Sequence, residues 1–198
     1  MNSAIEPPSL EASLFDFHLQ ISDASYLYLL IILLLLLLSA FASGSESAYF
    51  SLKPKDNAAI KANPSARAKL ILTLLSKPQE LLATILIFNN FVNVGVVILS
   101  SFVLNDLFPP QGQFAPWRFV IEVIGITLLL LLFGEVIPKI FANRNALKVS
   151  LLAAYPLRFI SKMPPISWLK YILVWGTNFI QKLGNKGATI DQNELEQA

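Results

Sequence analysis

The sequence predicts an all-α membrane protein with three transmembrane helices and a cytoplasmic-side amphipathic belt helix or helix pair. Three observations predict this fold class. Three apolar segments are each long enough to cross a bilayer, which takes about 20 mostly apolar residues. Only 14% of the 198 residues are charged, whereas a typical soluble domain has about 25%. Basic residues are absent from two of the segments that flank the spans, as expected of a membrane protein with a defined orientation.

The three spans follow from apolar runs of sufficient length. The first, Tyr26–Phe50, contains an unbroken run of Leu and Ile at residues 29–38. No basic residue precedes it and no cleavage-like site follows it, so it is not a signal peptide. The second span runs from about residue 81 to 104 and the third from about 117 to 141. Between them, residues 105–116 are rich in Pro and Gly, which predicts a loop.

The distribution of basic residues predicts the orientation. Six of the 15 Lys and Arg residues lie between Lys53 and Lys77, and eight lie between Lys139 and Lys186. None precedes the first span and none lies in the 105–116 loop. Because basic residues favour the cytoplasmic side, we expect a multi-pass protein of the cell membrane with its N-terminus outside and the loop from Lys53 to Lys77 inside. The 105–116 loop is then outside and the C-terminus lies in the cytoplasm.

Two further apolar stretches, residues 145–160 and 168–183, follow the third span, and prolines interrupt the region. The second stretch carries aromatic side chains of the kind that lie at headgroup level: Trp168, Tyr171 and Trp175. We predict that both stretches form helices along the cytoplasmic interface. A fourth span between Ile166 and Leu183 is the alternative.

The predicted organisation has four parts. Residues 1–24 form an extracytoplasmic segment, 25–145 the three-span core, 146–186 the juxtamembrane belt, and 187–198 the start of a truncated cytoplasmic extension.

The residue composition excludes several kinds of chemistry. The chain has no cysteine, which excludes disulfides, thiolate metal sites and cysteine nucleophiles. The single histidine, His18, lies in an acidic N-terminal stretch, so a zinc site of the usual composition is not expected. We find no nucleophile–base pair and no His-Glu-x-x-His motif. We therefore expect neither an enzyme nor a nucleic-acid-binding protein.

Two glutamates lie within the predicted spans, Glu46 in the first and Glu135 in the third. An ionisable group inside a bilayer is costly and is a functional hypothesis by default. Glu122 lies close to the outer end of the third span, where solvation or pairing with Arg118 accounts for it better.

Glu46 is surrounded by small residues and serines in the segment SGSESA. Close helix packing explains glycine and alanine in such a segment. It does not explain a carboxylate and three serines within five residues. Ser43 and Ser47 share a helix face, and Glu46 lies on a flank of that face, so we predict that at least one of these serines is a ligand.

The second span contains Asn89, Asn90 and Asn93 within five residues. A single asparagine is readily explained by hydrogen bonding between helices. Three of them at the middle of a span favour a polar site.

The third span carries Gly134 and Glu135 just before Pro138. Proline lacks an N–H and clashes with the carbonyl of residue i−4, which is Gly134. We expect a kink that frees this carbonyl as a ligand, since irregular backbone at membrane depth is tolerated where it faces protein or a cavity. An ordinary proline kink near the end of a span is the alternative.

Hydroxyl, amide, carbonyl and carboxylate oxygens, with no Cys or His, suit hard cations such as Mg²⁺, Ca²⁺ or Na⁺. Composition alone leaves the choice among these cations open.

Three segments resemble the signatures of the transmembrane domain of the CNNM/CorC family. They are SGSESAYFS (residues 43–51), NNFVN (89–93) and GEVIPK (134–139). They occur in the family's order on three successive spans, and the resemblance covers about residues 20–185. It implies a homodimer with three spans and a belt helix in each subunit. It also implies export of Mg²⁺ coupled to Na⁺ entry.

The resemblance also implies a set of ligands. The magnesium ligands carried over from the family are the side chains of Ser43, Ser47 and Glu135, the carbonyl of Gly134, and an asparagine that is either Asn89 or Asn90. Ion coupling or gating is assigned to Glu46, Asn93 and Pro138. Mg²⁺ is then the transported substrate, with Na⁺ as a possible second ion.

Members of the family usually continue into paired CBS modules that bind nucleotide. We therefore expect the full-length protein to carry such cytoplasmic regulatory domains after Ala198. The expected mechanism is alternating access between the two sides of the bilayer. A passive Mg²⁺ channel and a non-transporting Mg²⁺-binding sensor or scaffold are the alternatives.

Overall fold

The computed structural model describes residues 22–108 and 115–176, and this part of the chain forms helices and no strand. The helices are α1 (Asp23–Phe50), α2 (Pro54–Ala62), α3 (Ala66–Leu75), α4 (Pro78–Leu107), α5 (Trp117–Arg144), α6 (Ala146–Ile160) and α7 (residues 164–176). The predicted N-terminal segment up to residue 21, the end of the belt and the cytoplasmic extension lie outside the described residues.

Three of these helices, α1, α4 and α5, are long and apolar enough to cross a membrane, at 28, 30 and 28 residues. The expected all-α fold with three spans is therefore confirmed. The first two spans are longer than the sequence predicts, because α1 begins at Asp23 and α4 ends at Leu107. Where α1 begins and α4 ends, the hydroxyls of Ser22 and Ser25 each donate to Asp106 Oδ2 at 2.6 Å. Because α4 continues to Leu107, the connection to α5 is shorter than the predicted 105–116 loop.

The backbone of α5 departs from regular α-helical geometry at two places. Residues Ile121–Gly125 and Leu130–Val136 are π-helical, with hydrogen bonds that reach one residue further than in an α-helix. The second stretch ends two residues before Pro138, which cannot donate an N–H. The helix is therefore widened just before this proline, while the predicted kink and the freed Gly134 carbonyl stay predictions.

The basic segment between the first two spans is helical, not the loop that its polarity predicts. In α2, Pro54 occupies the first turn and Asp56 Oδ2 accepts the N–H of Lys53 at 3.0 Å. In α3, the Ser65 hydroxyl accepts the N–H of Ala68 at 3.2 Å. Both arrangements satisfy N–H groups that a helix start leaves without an intrahelical partner.

The larger apolar core lies where the basic ends of α1 and α4 meet α2, α3 and α6. Ala153, Ala154 and Leu157 of α6 are buried in it, and the small size of the two alanines allows α6 to lie close to α1 and α3. The Tyr49 hydroxyl donates to the Ser150 carbonyl at 3.3 Å, which ties α1 to α6. This packing anchors the C-terminal end of α1 to the shorter helices α2, α3 and α6.

The opposite face of α6 exposes three large apolar residues, Leu152, Tyr155 and Phe159. Such a two-faced helix suits the interfacial position that the sequence predicts. The position of α6 and α7 along the membrane surface stays a prediction.

Candidate functional site

The middle of α1 is joined to the middle of α4 through Ser39. This side chain is fully buried, and its Oγ lies 3.0 Å from Asn89 Oδ1 and 2.7 Å from Asn93 Oδ1. A hydroxyl has one proton, so Ser39 donates to one of these oxygens at a time. The other amide oxygen keeps lone pairs available for a different partner.

The third span approaches Ser39 at Gly134. A Cβ atom at residue 134 would lie only 2.8 Å from Ser39 Oγ, which is closer than such atoms come in proteins. A larger residue at this position would force the Ser39 side chain to move, so glycine allows the close approach of the two helices. The close approach brings α5, with the adjoining Glu135, against the α1–α4 pair.

Glu135 reaches the same group of polar atoms. Asn93 Nδ2 donates to Glu135 Oε1 at 3.5 Å, which is long for a hydrogen bond. All three spans therefore contribute to one set of polar groups, which we call the polar cluster. Its members are Ser39, Asn89, Asn93, Gly134 and Glu135.

The three serines that surround Glu46 have different environments. Ser45 is buried and donates to the Phe41 carbonyl of its own helix at 2.6 Å. Ser47 donates across to the Lys139 carbonyl of α5 at 3.1 Å. Ser43 is only 1% exposed, and its hydroxyl has no hydrogen-bond partner among the described residues. Because a buried hydroxyl without a partner costs about 1–3 kcal/mol, Ser43 is the serine whose environment most needs a functional explanation.

Glu46 pairs with Lys139 of α5, with 3.3 Å between Oε2 and Nζ, and both side chains are partly exposed. The pair lines an open cavity of about 440 Å³ together with Ser47, Phe50, Ser51 and Leu82. Glu46 thus lies beside an opening at the C-terminal end of α1. The polar cluster lies further along the spans, near the middle of α1.

The remaining predicted site residues occupy different places. Asn90 is exposed and forms no hydrogen bond with the polar cluster in the described part of the chain, whereas Asn89 contacts Ser39. Pro138 packs near α1, where its carbonyl lies 3.6 Å from the position of a Cβ at Gly44. Of the two asparagines that the sequence left open, the structure brings Asn89 to the cluster.

Ser39 was not among the predicted site residues. It occurs four residues before Ser43 and eight before Ser47, so the three share a helix face. This four-residue spacing of serines could have indicated Ser39 as a site residue. However, Ser39 lies in a run of small residues that close helix packing also explains.

The polar cluster offers oxygen atoms of three kinds: hydroxyl, amide and carboxylate. In the described part of the chain, no three His, Cys, Asp or Glu side chains lie together where they could hold a metal. A cation bound here would therefore be held mainly by neutral oxygens, with Glu135 supplying the negative charge.

Three apolar helices around a buried polar cluster define a multi-pass membrane domain with an intramembrane polar site. The chain matches the model of the family described as "Cyclin M transmembrane N-terminal domain" over residues 30–198. It therefore belongs to the CNNM family, and the recognition from its three sequence segments is confirmed.

Curated relatives come from several bacteria. The chain is 32% identical over 144 residues to a UPF0053 protein of Haemophilus influenzae, which is 73% of this chain and 31% of that protein. It is 32% identical over 145 residues, with the same coverage, to the UPF0053 inner membrane protein YfjD of Escherichia coli. A UPF0053 protein of Synechocystis is 37% identical over 109 residues, or 54% of this chain and 29% of that protein. The match spans about a third of the length of these relatives.

Proposed function

We propose that this domain transports Mg²⁺ across the cell membrane, exporting it in exchange for entering Na⁺ by alternating access. One observation carries the proposal. Three candidate spans bring hydroxyl, amide and carboxylate oxygens together near the middle of the helices, and one turn along α1 lies a buried serine hydroxyl that has no partner in the described part of the chain.

The cluster oxygens are hydrogen-bonded to one another and are therefore close enough together to share a small cation. Mg²⁺ takes about six oxygens at roughly 2.0–2.1 Å, so neighbouring ligands on its octahedron are about 2.9 Å apart. The distances from Ser39 Oγ to the two asparagine oxygens are 3.0 and 2.7 Å. Small side-chain movements would therefore let the amide oxygens, Ser43 and Glu135 replace part of the hydration shell.

The opening beside Glu46 is our proposed route to the site. The carboxylate attracts a cation, while the neighbouring Lys139 ammonium neutralises it when no cation is present. We propose that an entering cation displaces Lys139 from Glu46 before it reaches the deeper cluster. This assigns to Glu46 the coupling or gating role that its position in the sequence predicts.

An exchanger is favoured over a channel in the export direction by the membrane potential. Moving one charge against 100 mV costs about 2.3 kcal/mol, so exporting Mg²⁺ costs roughly twice that amount. Inward movement of Na⁺ offsets this cost.

The same site also fits two rival functions. A passive channel would conduct Mg²⁺ without Na⁺, and a sensor would bind Mg²⁺ without moving it.

The partners are proposals as well: we propose a homodimer, and cytoplasmic CBS-type domains in the full-length protein. The third span is largely exposed in the single chain, so its face is available either to a second copy or to lipid. A cell-membrane location is supported by the name of the Escherichia coli relative, an inner membrane protein.

The decisive experiment measures Mg²⁺ flux into proteoliposomes with and without an opposing Na⁺ gradient. The chain is compared with Glu135→Ala and with the matched control Glu122→Ala. Glu122 lies on the same helix but pairs with Arg118 at 3.7 Å, away from the cluster. We expect flux that follows the Na⁺ gradient, is lost in Glu135→Ala and persists in Glu122→Ala.

Each alternative result has a defined meaning. Flux that ignores the Na⁺ gradient but needs Glu135 would replace the exchanger with a channel. Mg²⁺ binding without flux would favour the sensor. Normal flux in Glu135→Ala would show that the polar cluster is not the transport site.

A further inference from the structure

A basic cavity of about 470 Å³ lies outside the polar cluster, where α1 ends, α2 begins and α5 meets α6. Four of its ten lining residues are cationic: Lys53, Lys55, Arg144 and Lys148. They come from segments far apart in the sequence, so the fold gathers them.

These four cations are not neutralised by the part of the chain that the structure describes, where none of them forms an ion pair. The cavity contains one carboxylate, Asp56. Its Oδ2 accepts the Lys53 backbone N–H at 3.0 Å and so stabilises the start of α2. The cavity therefore holds an excess of positive charge, and like charges gathered in one cavity repel one another.

The start of α6 adds hydrogen-bond donors to the cavity. Asn145, Ala146 and Leu147 also line the cavity, and the first turn of α6 has neither an acidic residue nor a side-chain cap. The Asn145 side chain instead donates backwards, to the Phe141 carbonyl at 3.1 Å. Uncapped N–H groups at a helix start can donate hydrogen bonds to an anion.

The position of the cavity indicates the kind of anion. It lies at the ends of two spans, where helices leave the apolar core and lipid phosphates begin. Dispersed lysines would suffice to orient the protein. Four cations in one concave site are instead typical of basic pockets beside membrane helices that bind lipid headgroups.

We propose that this cavity binds the phosphate group of an anionic phospholipid headgroup. Arg144 and Lys148 contact the phosphate from the α5–α6 junction, and Lys53 and Lys55 contact it from the start of α2. A bound headgroup would bridge these elements and relieve the repulsion among the cations. The proposal does not depend on the transported ion.

The test measures lipid retention by native mass spectrometry of the chain in neutral detergent, titrated with phosphatidylglycerol or phosphatidylcholine. The double variant Arg144→Gln/Lys148→Gln is compared with Lys61→Gln/Lys69→Gln, which removes two exposed cations that do not line the cavity. Removing two interfacial charges should weaken retention of phosphatidylglycerol roughly thirtyfold. The control pair should retain it, and phosphatidylcholine should be retained poorly by all forms.

A second arm adds inorganic phosphate as a competitor, and thermal unfolding verifies that each variant is folded. Retention of phosphatidylglycerol at millimolar phosphate supports the lipid headgroup. Complete displacement by phosphate would assign the cavity to a soluble phosphate and overturn the lipid assignment. Equal retention by the two folded double variants would show that the cavity is not the binding site.

Discussion

Ser43, Ser45 and Ser47 show how much the role of a residue depends on its partners. All three are serines on one helix within five residues. Ser45 is satisfied by its own helix and Ser47 by a carbonyl of α5, whereas Ser43 is buried without a partner in the described part of the chain. The first two therefore have a structural explanation, and the third is the better candidate ligand.

Ser43→Ala tests this distinction. Removing a buried, unsatisfied hydroxyl should raise the free energy of unfolding by about 1 kcal/mol, while Mg²⁺ binding weakens. Both quantities are measured in detergent, by denaturant unfolding and by isothermal titration with Mg²⁺. Ser45→Ala is the control and should leave Mg²⁺ binding unchanged. Destabilisation by Ser43→Ala with unchanged Mg²⁺ binding would contradict the assignment.

Gly134→Ala tests the contact that brings the third span to the cluster. The added Cβ would lie 2.8 Å from Ser39 Oγ but 3.4 Å from Ser39 Cβ. We expect the single change to destabilise the protein by about 1–3 kcal/mol. Adding Ser39→Ala should restore much of that loss, because it removes the closest atom.

The measurement is a double-mutant cycle of unfolding free energies. Strictly additive effects would indicate that the two residues do not touch. Gly44→Ala is the matched control, since a Cβ there would meet its neighbours at the ordinary distances of 3.6–3.8 Å.

At the scale of elements, specific contacts attach the short helix α7 to the spans. Lys170 of α7 is only 5% exposed. Its Nζ lies 3.0 Å from Ser161 Oγ and 3.5 Å from Glu80 Oε2. The Glu80 carboxylate at the start of α4 therefore links the second span to the last described helix. The same carboxylate also pairs with Lys77 at 2.9 Å.

Lys170→Met should loosen α7 from α4 while keeping most of the buried aliphatic stem. We expect faster hydrogen exchange and proteolysis in residues 164–176, with little change in the three spans. Lys162→Met, at an exposed position, serves as the control. Unchanged protection of α7 in Lys170→Met would show that apolar packing alone holds this helix.

At the scale of the whole molecule, the orientation predicted from the basic residues can be tested directly, because the chain has no cysteine. We expect Asn63→Cys, between α2 and α3, to react with an impermeant thiol reagent only from the cytoplasmic side. Asn105→Cys, near the other end of α4, should react only from outside. Both residues are exposed. Labelling of right-side-out and inverted vesicles provides the measurement, and the opposite pattern would reverse the predicted orientation.

Much of the fold could be predicted because its causes are local. The spans follow from the length of apolar runs, and the family follows from three short segments. The helical nature of α2 and α3 was missed because their basic residues suggested a loop, although Pro54 and Ser65 are good helix-start residues. In α5, the sequence predicted a kink at Pro138, and it did not predict the π-helical backbone that precedes this proline.

By itself, the sequence determined the number of spans, the oxygen-rich chemistry of the candidate site and the absence of thiol ligands. These properties depend on residue type and on order along the chain. Only the tertiary structure decided that Ser39 joins the spans, that Asn89 rather than Asn90 lies at the cluster, and that four distant cations share one cavity. These properties depend on distances between helices, which are set by how closely the helices pack and not by any local pattern.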